Sequence, residues 1–265
     1  METSTVNETL AAKLADFSYY DFEKLKNGEL IFGDVGYSDW RFYQPENTDN
    51  KIKEVVFCAV NDKAKQLFIV FKGSEPSIFD IEQFIKDWCV SDLKMLFGQL
   101  PLNFDDYFNY VEEIKKTFPD YEIMMTGHSL GGSVAQLIGA VKENENLHVY
   151  TFNAFGTKHL AKCLEEKNIE VNCHAENIKN FRVESDIVSN RTEHIGAVYT
   201  IEYNKDFGQI LSSIFGETPK VFVNLSQKIV KSAKAYFKGF KYTAKILDSH
   251  FMNNFKNGYD YKKED

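Results

Sequence analysis

Gly127-His128-Ser129-Leu130-Gly131 sets a serine two positions from a glycine on either side. That spacing suits a serine on a sharp turn from strand to helix, where a side chain at either flanking position would clash with the neighbouring elements and the turn pushes the hydroxyl into the open. The chemistry open to such a serine is attack on an acyl carbon. A hydroxyl is a weak nucleophile at neutral pH, so it needs a general base, and the base needs an acid that orients it and holds its charge. The tetrahedral oxyanion needs two fixed donors. A serine at a glycine-rich turn can also serve as a helix N-cap in a purely packing role. The flanking residues favour the catalytic reading: Glu122 to Thr126 reads as a strand, and Ser133 to Val141 as a buried helix.

In α/β-hydrolases the chain order is Ser, then Asp or Glu, then His, so the search runs downstream of Ser129. The acid should close a strand, and Asp186 lies just beyond the apolar run Ile178 to Val183. Glu184 and Glu193 are its local rivals, and an Asp after a strand is commonly a turn residue. Downstream of Asp186 the histidines are His194 and His250. His250 follows a long helical pattern, where a loop can fold back onto the sheet edge, and it is preferred to His194, which sits in a polar loop. His128, inside the elbow, is read as packed beside the site. One oxyanion donor is the backbone N–H of Leu130; the other comes from a loop after an earlier strand. Phe71-Lys72-Gly73-Ser74 supplies that loop, with Ser74 offering its N–H and its hydroxyl, unless it is an ordinary Gly-Ser turn.

The elements that must hold these groups are legible as apolar runs. Val55 to Val60 and Leu67 to Phe71 read as two strands joined at Asn61-Asp62-Lys63, opening the sheet. Residues 78 to 118 hold about two helices at helical spacing, the second ended by Pro119. There follow a strand at Glu122 to Thr126, a helix from Leu130 to Glu143, a strand at His148 to Phe152, a helix near Lys158 to Glu166, and strands at Ile178 to Val183 and Val198 to Tyr203. Strands alternating with helices imply an α/β fold, with a mostly parallel central sheet and helices on both faces. No Pro/Gly/Ser-rich linker divides the chain, so residues 1–265 are read as one domain.

Composition excludes several classes. With 31 basic and 39 acidic side chains the 265-residue chain carries −8, a poor balance for a nucleic-acid binder, and 43% hydrophobic residues are those of a folded protein. Cys58, Cys89, Cys163 and Cys173 form no CxxC pair and are read as buried or free thiols. No P-loop, dinucleotide fingerprint or metal-ligand spacing is present, so neither cofactor nor metal is expected. Ile123 to Val141 lacks Asp, Glu, Lys and Arg, yet four glycines and several polar groups make it a buried strand and helix, not a transmembrane segment. Met1 to Leu14 lacks the basic and apolar regions of a signal peptide, so the default expectation is cytoplasmic, with leaderless export left open.

Four separated motifs resemble those of class 3, or fungal-type, lipases of the α/β-hydrolase fold. Phe71-Lys72-Gly73-Ser74 resembles the family's oxyanion strand, and Asp87-Trp88 with Asp92-Leu93 its downstream pattern. Thr126 to Gly132 resembles the elbow, and Ser185-Asp186-Ile187-Val188 the acid motif. The resemblance implies a triad of Ser129, Asp186 and His250, with Ser74 and Leu130 forming the oxyanion hole, and cleavage of lipid esters through an acyl-enzyme. Lys72 stands where the family has arginine, the loop Glu75 to Lys86 is longer than a compact lid, and Ser189 stands where the family has proline.

Two further segments bear on substrate. Ser77 to Ile85 carries an Ile/Phe stripe where lipases of this type hold a mobile lid, with a fixed core helix as the alternative reading for residues 76–88. Residues 219–247 hold seven lysines and no carboxylate; Lys231, Lys234, Lys238, Lys241 and Lys245 form one stripe beside Ile229, Ala233, Phe237, Phe240 and Ala244. That is either a core helix with a solvated lysine face or a peripheral contact with anionic lipid. The expected activity is lipid ester hydrolysis, the alternatives being phospholipase A-type, thioesterase or acyltransferase chemistry on the same triad, or an inactive hydrolase fold that binds.

Overall fold

The computed structural model describes residues 2–3, 5–20, 22–29, 31–73, 98–101, 103–186, 188–203, 252–255 and 259–264. Ser74, the segment 76–88, the stretch 219–247 and His250 lie outside them.

Among the described residues nine strands form one sheet in the order β1-β9-β8-β7-β6-β5-β4-β3-β2. They are β1 (Glu2–Thr3), β2 (Arg41–Tyr43), β3 (Val56–Asn61), β4 (Gln66–Phe71), β5 (Glu122–His128), β6 (His148–Phe152), β7 (Ile178–Val183), β8 (Ala197–Ile201) and β9 (Asp260–Lys263). The five central strands β4 to β8 are parallel, and antiparallel pairs flank them on both sides. The helices are α1 (Val6–Tyr20), α2 (Phe22–Lys26), α3 (Asn50–Lys53), α4 (Phe104–Thr117), α5 (Leu130–Gly139) and α6 (Ala161–Glu165). This is the α/β arrangement that the alternating runs imply.

Alternation along the strands splits the core between the two faces. Val56, Cys58, Leu67, Ile69, Met125, Val149 and Ile178 pack with α4, α5 and α6. Phe57, Phe68, Val70, Met124, Phe152, Phe181 and Tyr199 face the other way, against Leu10, Ala11, Leu14 and Ala15 of α1 and the aromatic group Phe255, Tyr259 and Tyr261. Helix α1 starts with a capping box in which the Thr5 N–H donates to Glu8 Oε2 at 2.7 Å and the Glu8 N–H to Thr5 Oγ1 at 3.3 Å. Glu8 is fully buried, and Lys179 Nζ on β7 meets its Oε1 at 2.8 Å, which ties the start of the helix to the sheet.

Several boundaries differ from the sequence reading. The strand pair at 56–71 does not open the sheet, because β2 adds outside β3. Helix α5 stops at Gly139, short of Glu143, because Val141 leaves to bridge Val171 and the Lys142 N–H donates to Glu170 O. The helix near Lys158 to Glu166 is a 3-10 turn at Lys158–Leu160 followed by α6. Helix α1 and the strands β1, β2 and β9 were not legible at all.

Candidate active site

Strand β5 delivers Ser129 directly into α5. Ser129 has φ 53° and ψ −126°, a conformation that costs a non-glycine residue on the order of 1–3 kcal/mol and survives only where its surroundings impose it. They do so here by close approach. A Cβ on Gly131 would lie 2.2 Å from the Phe71 carbonyl oxygen, and one on Gly127 would lie 2.4 Å from the Gly131 carbonyl carbon. The Ser129 N–H donates to Phe152 O at 3.0 Å, and its carbonyl accepts the Ser133 N–H at 3.0 Å, the first bond of the helix. Leu130 heads α5, so its N–H is one of the first four in the helix without an intrahelical acceptor and stands at the positive end of the dipole. The serine is not in the open, however; it is only 3% exposed.

The register carries the site across the sheet. Phe71 pairs with Gly127, His128 with Phe152, and Phe152 with Phe181, so the carboxyl ends of β4 to β7 share one edge. Ligand sites of open α/β sheets form there. Ser129 follows β5 and Asp186 follows β7, two strand spacings of about 4.8 Å away. Between them sits Asn153, with φ 44°, whose N–H donates to Phe181 O at 2.8 Å and whose Oδ1 accepts the Val183 N–H at 2.8 Å.

Asp186 is fully buried, and its carboxylate is held by donors from its own loop. Oδ2 accepts the Ser189 hydroxyl at 2.6 Å and the Ser189 N–H at 3.0 Å; Oδ1 accepts the Val188 N–H at 3.3 Å. Its rivals are placed differently. Glu184 is exposed, and Glu193 is an exposed partner of Lys158 at 2.9 Å, a contact that lowers its pKa.

His194 is engaged at both ring nitrogens. Gln136 Oε1 accepts the backbone N–H groups of Thr157 at 2.8 Å and Ile195 at 3.2 Å, which fixes the amide orientation. Gln136 Nε2 therefore donates, to Asn180 Oδ1 at 2.6 Å and to His194 Nδ1 at 3.0 Å. His194 Nε2 then carries the proton and donates to Ser189 O at 2.9 Å. Burial pushes its pKa down to about 4, against the Ser189 carbonyl, which raises it. A neutral imidazole with both nitrogens committed is not a base for Ser129. His128 faces elsewhere: Tyr19 Oη on α1 lies 2.8 Å from its Nδ1, with the rings edge to face.

The loop after β4 presses on this elbow. A Cβ on Gly73 would fall 2.0 Å from Tyr19 Oη and 2.6 Å from His128 O, so Gly73 admits nothing larger; Ser74 itself is outside the described residues. Tyr19, Asn153 and Gln136 were missed in the sequence, where nothing but their later neighbours would single them out. Ser189 was visible only as a departure from a motif. Among the described residues no group of three or more His, Cys, Asp or Glu could hold a metal, and no helix is long and apolar enough to cross a membrane. Cys58 is a buried free thiol whose pKa burial pushes up to about 12, and Cys163 and Cys173 are free and partly exposed.

Residues 12–232 match the model of a phospholipase-like family, the Tle-like phospholipase domain. Among curated proteins, a lipase of Rhizopus niveus and one of Rhizopus oryzae are each 36% identical over 86 residues, a match covering 30% of this chain and 22% of each relative's length. Among solved structures, the Rhizomucor miehei lipase propeptide complex is 21% identical with a TM-score of 0.48, covering 76% of this chain and 70% of that one. Lipase II from Rhizopus niveus is 18% identical with a TM-score of 0.45, covering 76% and 83%.

Proposed function

The chain belongs to the Tle-like phospholipase domain family, and from that premise we propose that it hydrolyses carboxylic esters of lipids through an acyl-enzyme on Ser129. The single observation that carries the reading is the Ser129 turn, held at φ 53° between β5 and α5 by glycines whose side chains have no room. A packing serine has no need of that strain.

In this mechanism Ser129 Oγ attacks the ester carbonyl carbon and its proton passes to the imidazole of His250, oriented by the Asp186 carboxylate. The N–H groups of Leu130 and Ser74 receive the negative oxygen. Collapse breaks the bond to the alcohol, which leaves with the proton from His250. Water, deprotonated by the same imidazole, then attacks the acyl-serine, releasing the fatty acid and restoring the hydroxyl. His194, which the sequence left as the other candidate base, is engaged elsewhere, and His250 takes that role in the proposal.

Phospholipids are the substrates that the family's description points to, cleavage at an acyl ester follows from the proposed acyl-enzyme, and the seven lysines of 219–247 suit an anionic lipid surface. The test is intact-mass labelling by a fluorophosphonate, wild type against Ser129→Ala, with and without mixed micelles, alongside fatty-acid release from phosphatidylglycerol and triacylglycerol. Labelling of the wild type alone, with release from phospholipid, is the expected result. A folded wild type that stays unlabelled in micelles would leave a binding module.

A further inference from the structure

The acid loop and the nucleophile's helix are joined by a continuous line of hydrogen bonds behind the site. It runs from Gln136 on α5 to His194 Nδ1 at 3.0 Å, from His194 Nε2 to Ser189 O at 2.9 Å, and from the Ser189 hydroxyl to Asp186 Oδ2 at 2.6 Å. Gln136, Ser189 and Asp186 are fully buried and His194 is partly buried, so the bond from Ser189 to Asp186 is shielded from bulk water. Ser189 is the pivot. Its hydroxyl and its N–H both land on one carboxylate oxygen, which fixes the rotation of that group, and its carbonyl is held in turn by a histidine kept neutral by burial. The proline found here in the class 3 lipase motif has neither donor.

We propose that Ser189, braced by His194 and Gln136, is a positioning residue that sets the Asp186 carboxylate relative to the helix carrying Ser129. This rests on the reading of Asp186 as the triad acid. Triad members work only within narrow limits of geometry, and a hydrogen bond to a charged acceptor belongs to the stronger class. The brace gives this chain a device for that geometry that a proline cannot supply. Nothing in it touches substrate.

The experiment measures the second-order rate of fluorophosphonate labelling at Ser129, with kcat and KM on a p-nitrophenyl ester, for the wild type, Ser189→Ala, Ser189→Thr, His194→Ala and Asp186→Asn. Melting temperature is recorded for each. Ser189→Ala keeps the N–H and removes only the hydroxyl, so the labelling rate and kcat should fall by about tenfold to a hundredfold at unchanged KM, the loss of one charged hydrogen bond. Ser189→Thr, which keeps a hydroxyl, should restore most of the rate, and His194→Ala should lose rate in the same sense as Ser189→Ala. If Ser189→Ala and His194→Ala both keep the wild-type rate while Asp186→Asn loses it, the proposal falls and the triad stands. If Asp186→Asn keeps the rate, the triad reading falls and takes the proposal with it. A loss confined to KM, or one that follows melting temperature across the series, marks a structural serine and also overturns it.

Discussion

Tyr19 Oη lies 2.8 Å from His128 Nδ1, so the last turn of the first helix is bonded to the residue that precedes Ser129. The contact spans 109 residues of sequence and touches the Gly73 backbone as well. Helix α1 thereby acts as a clamp on the elbow and on the loop expected to supply the second oxyanion donor. Tyr19→Phe keeps the edge-to-face ring contact and removes the hydroxyl. The expected result is a stability loss of about 1 kcal/mol, the usual net value of one hydrogen bond, with a modest drop in the Ser129 labelling rate. Urea unfolding and labelling kinetics check the two parts separately.

Gly131→Ala should be far more severe. The added methyl would meet the Phe71 carbonyl at 2.2 Å, and the obstacle is backbone of a central strand, which cannot swing aside. Forced overpacking of this kind costs on the order of 3 kcal/mol, and any relief must move β4 from β5 or α5 from the sheet. Circular dichroism melts should show the loss, and the folded fraction should label slowly because the turn has shifted.

Much of this frame was legible in the sequence because short clusters of β-branched and aromatic residues recur between helical stretches, as in Leu67 to Phe71 of β4. Ile178 to Val183 and His148 to Phe152 coincide with β7 and β6 to the residue. The elbow was legible because its glycines are demanded by contacts only 2.2–2.4 Å away. Strand β9, Asp260–Lys263, was not, because only Tyr261 of its four residues is buried and its pairing with β8 is long-range. Helix α1 was hidden in the same way: Glu8 and Asp16 are buried on it, and polar residues on a core face break the apolar period. Order and placement favour His250 over His194 as the base, but the engagement of His194 was not legible from spacing, since it lies in the pair of partners its ring nitrogens meet. Ser189 shows the limit from the other side, a residue visible as a departure whose bond to Asp186 exists only once the turn after β7 has formed.

Lys179→Met should destabilise the fold through Glu8 rather than through its own lost contacts. Glu8 is fully buried, accepts the Thr5 N–H, and has Lys179 as its charged partner at 2.8 Å. Removing the lysine leaves a buried carboxylate without its counter-charge; since the Lys179 side chain is 37% exposed, the cost is about 2–3 kcal/mol, below that of a fully buried pair. The double variant Glu8→Gln/Lys179→Met should recover most of that loss. Urea midpoints for the two single variants and the double give the coupling directly, and a double variant no better than Lys179→Met would assign the loss to packing of the lysine stem.

His194 gives the fold a pH dependence with a definite sign. Its folded pKa of about 4 lies below the 6.5 of the unfolded chain, so between those values the unfolded state binds the extra proton. Stability from this group is therefore full above pH 6.5 and drains as pH falls toward 4. The total is at most about 3 kcal/mol, reduced by the edge of the residue that reaches solvent. Protonation also turns His194 Nδ1 into a donor facing the Gln136 amide, which is itself a donor, so the strain arises at the brace behind Asp186. His194→Gln cannot titrate, and its melting temperature should fall less than that of the wild type between pH 6.5 and 4.5. Carboxylates that titrate in the same range act on both proteins alike, so the difference between the two curves isolates the histidine; parallel curves would show that His194 is not held neutral by the fold.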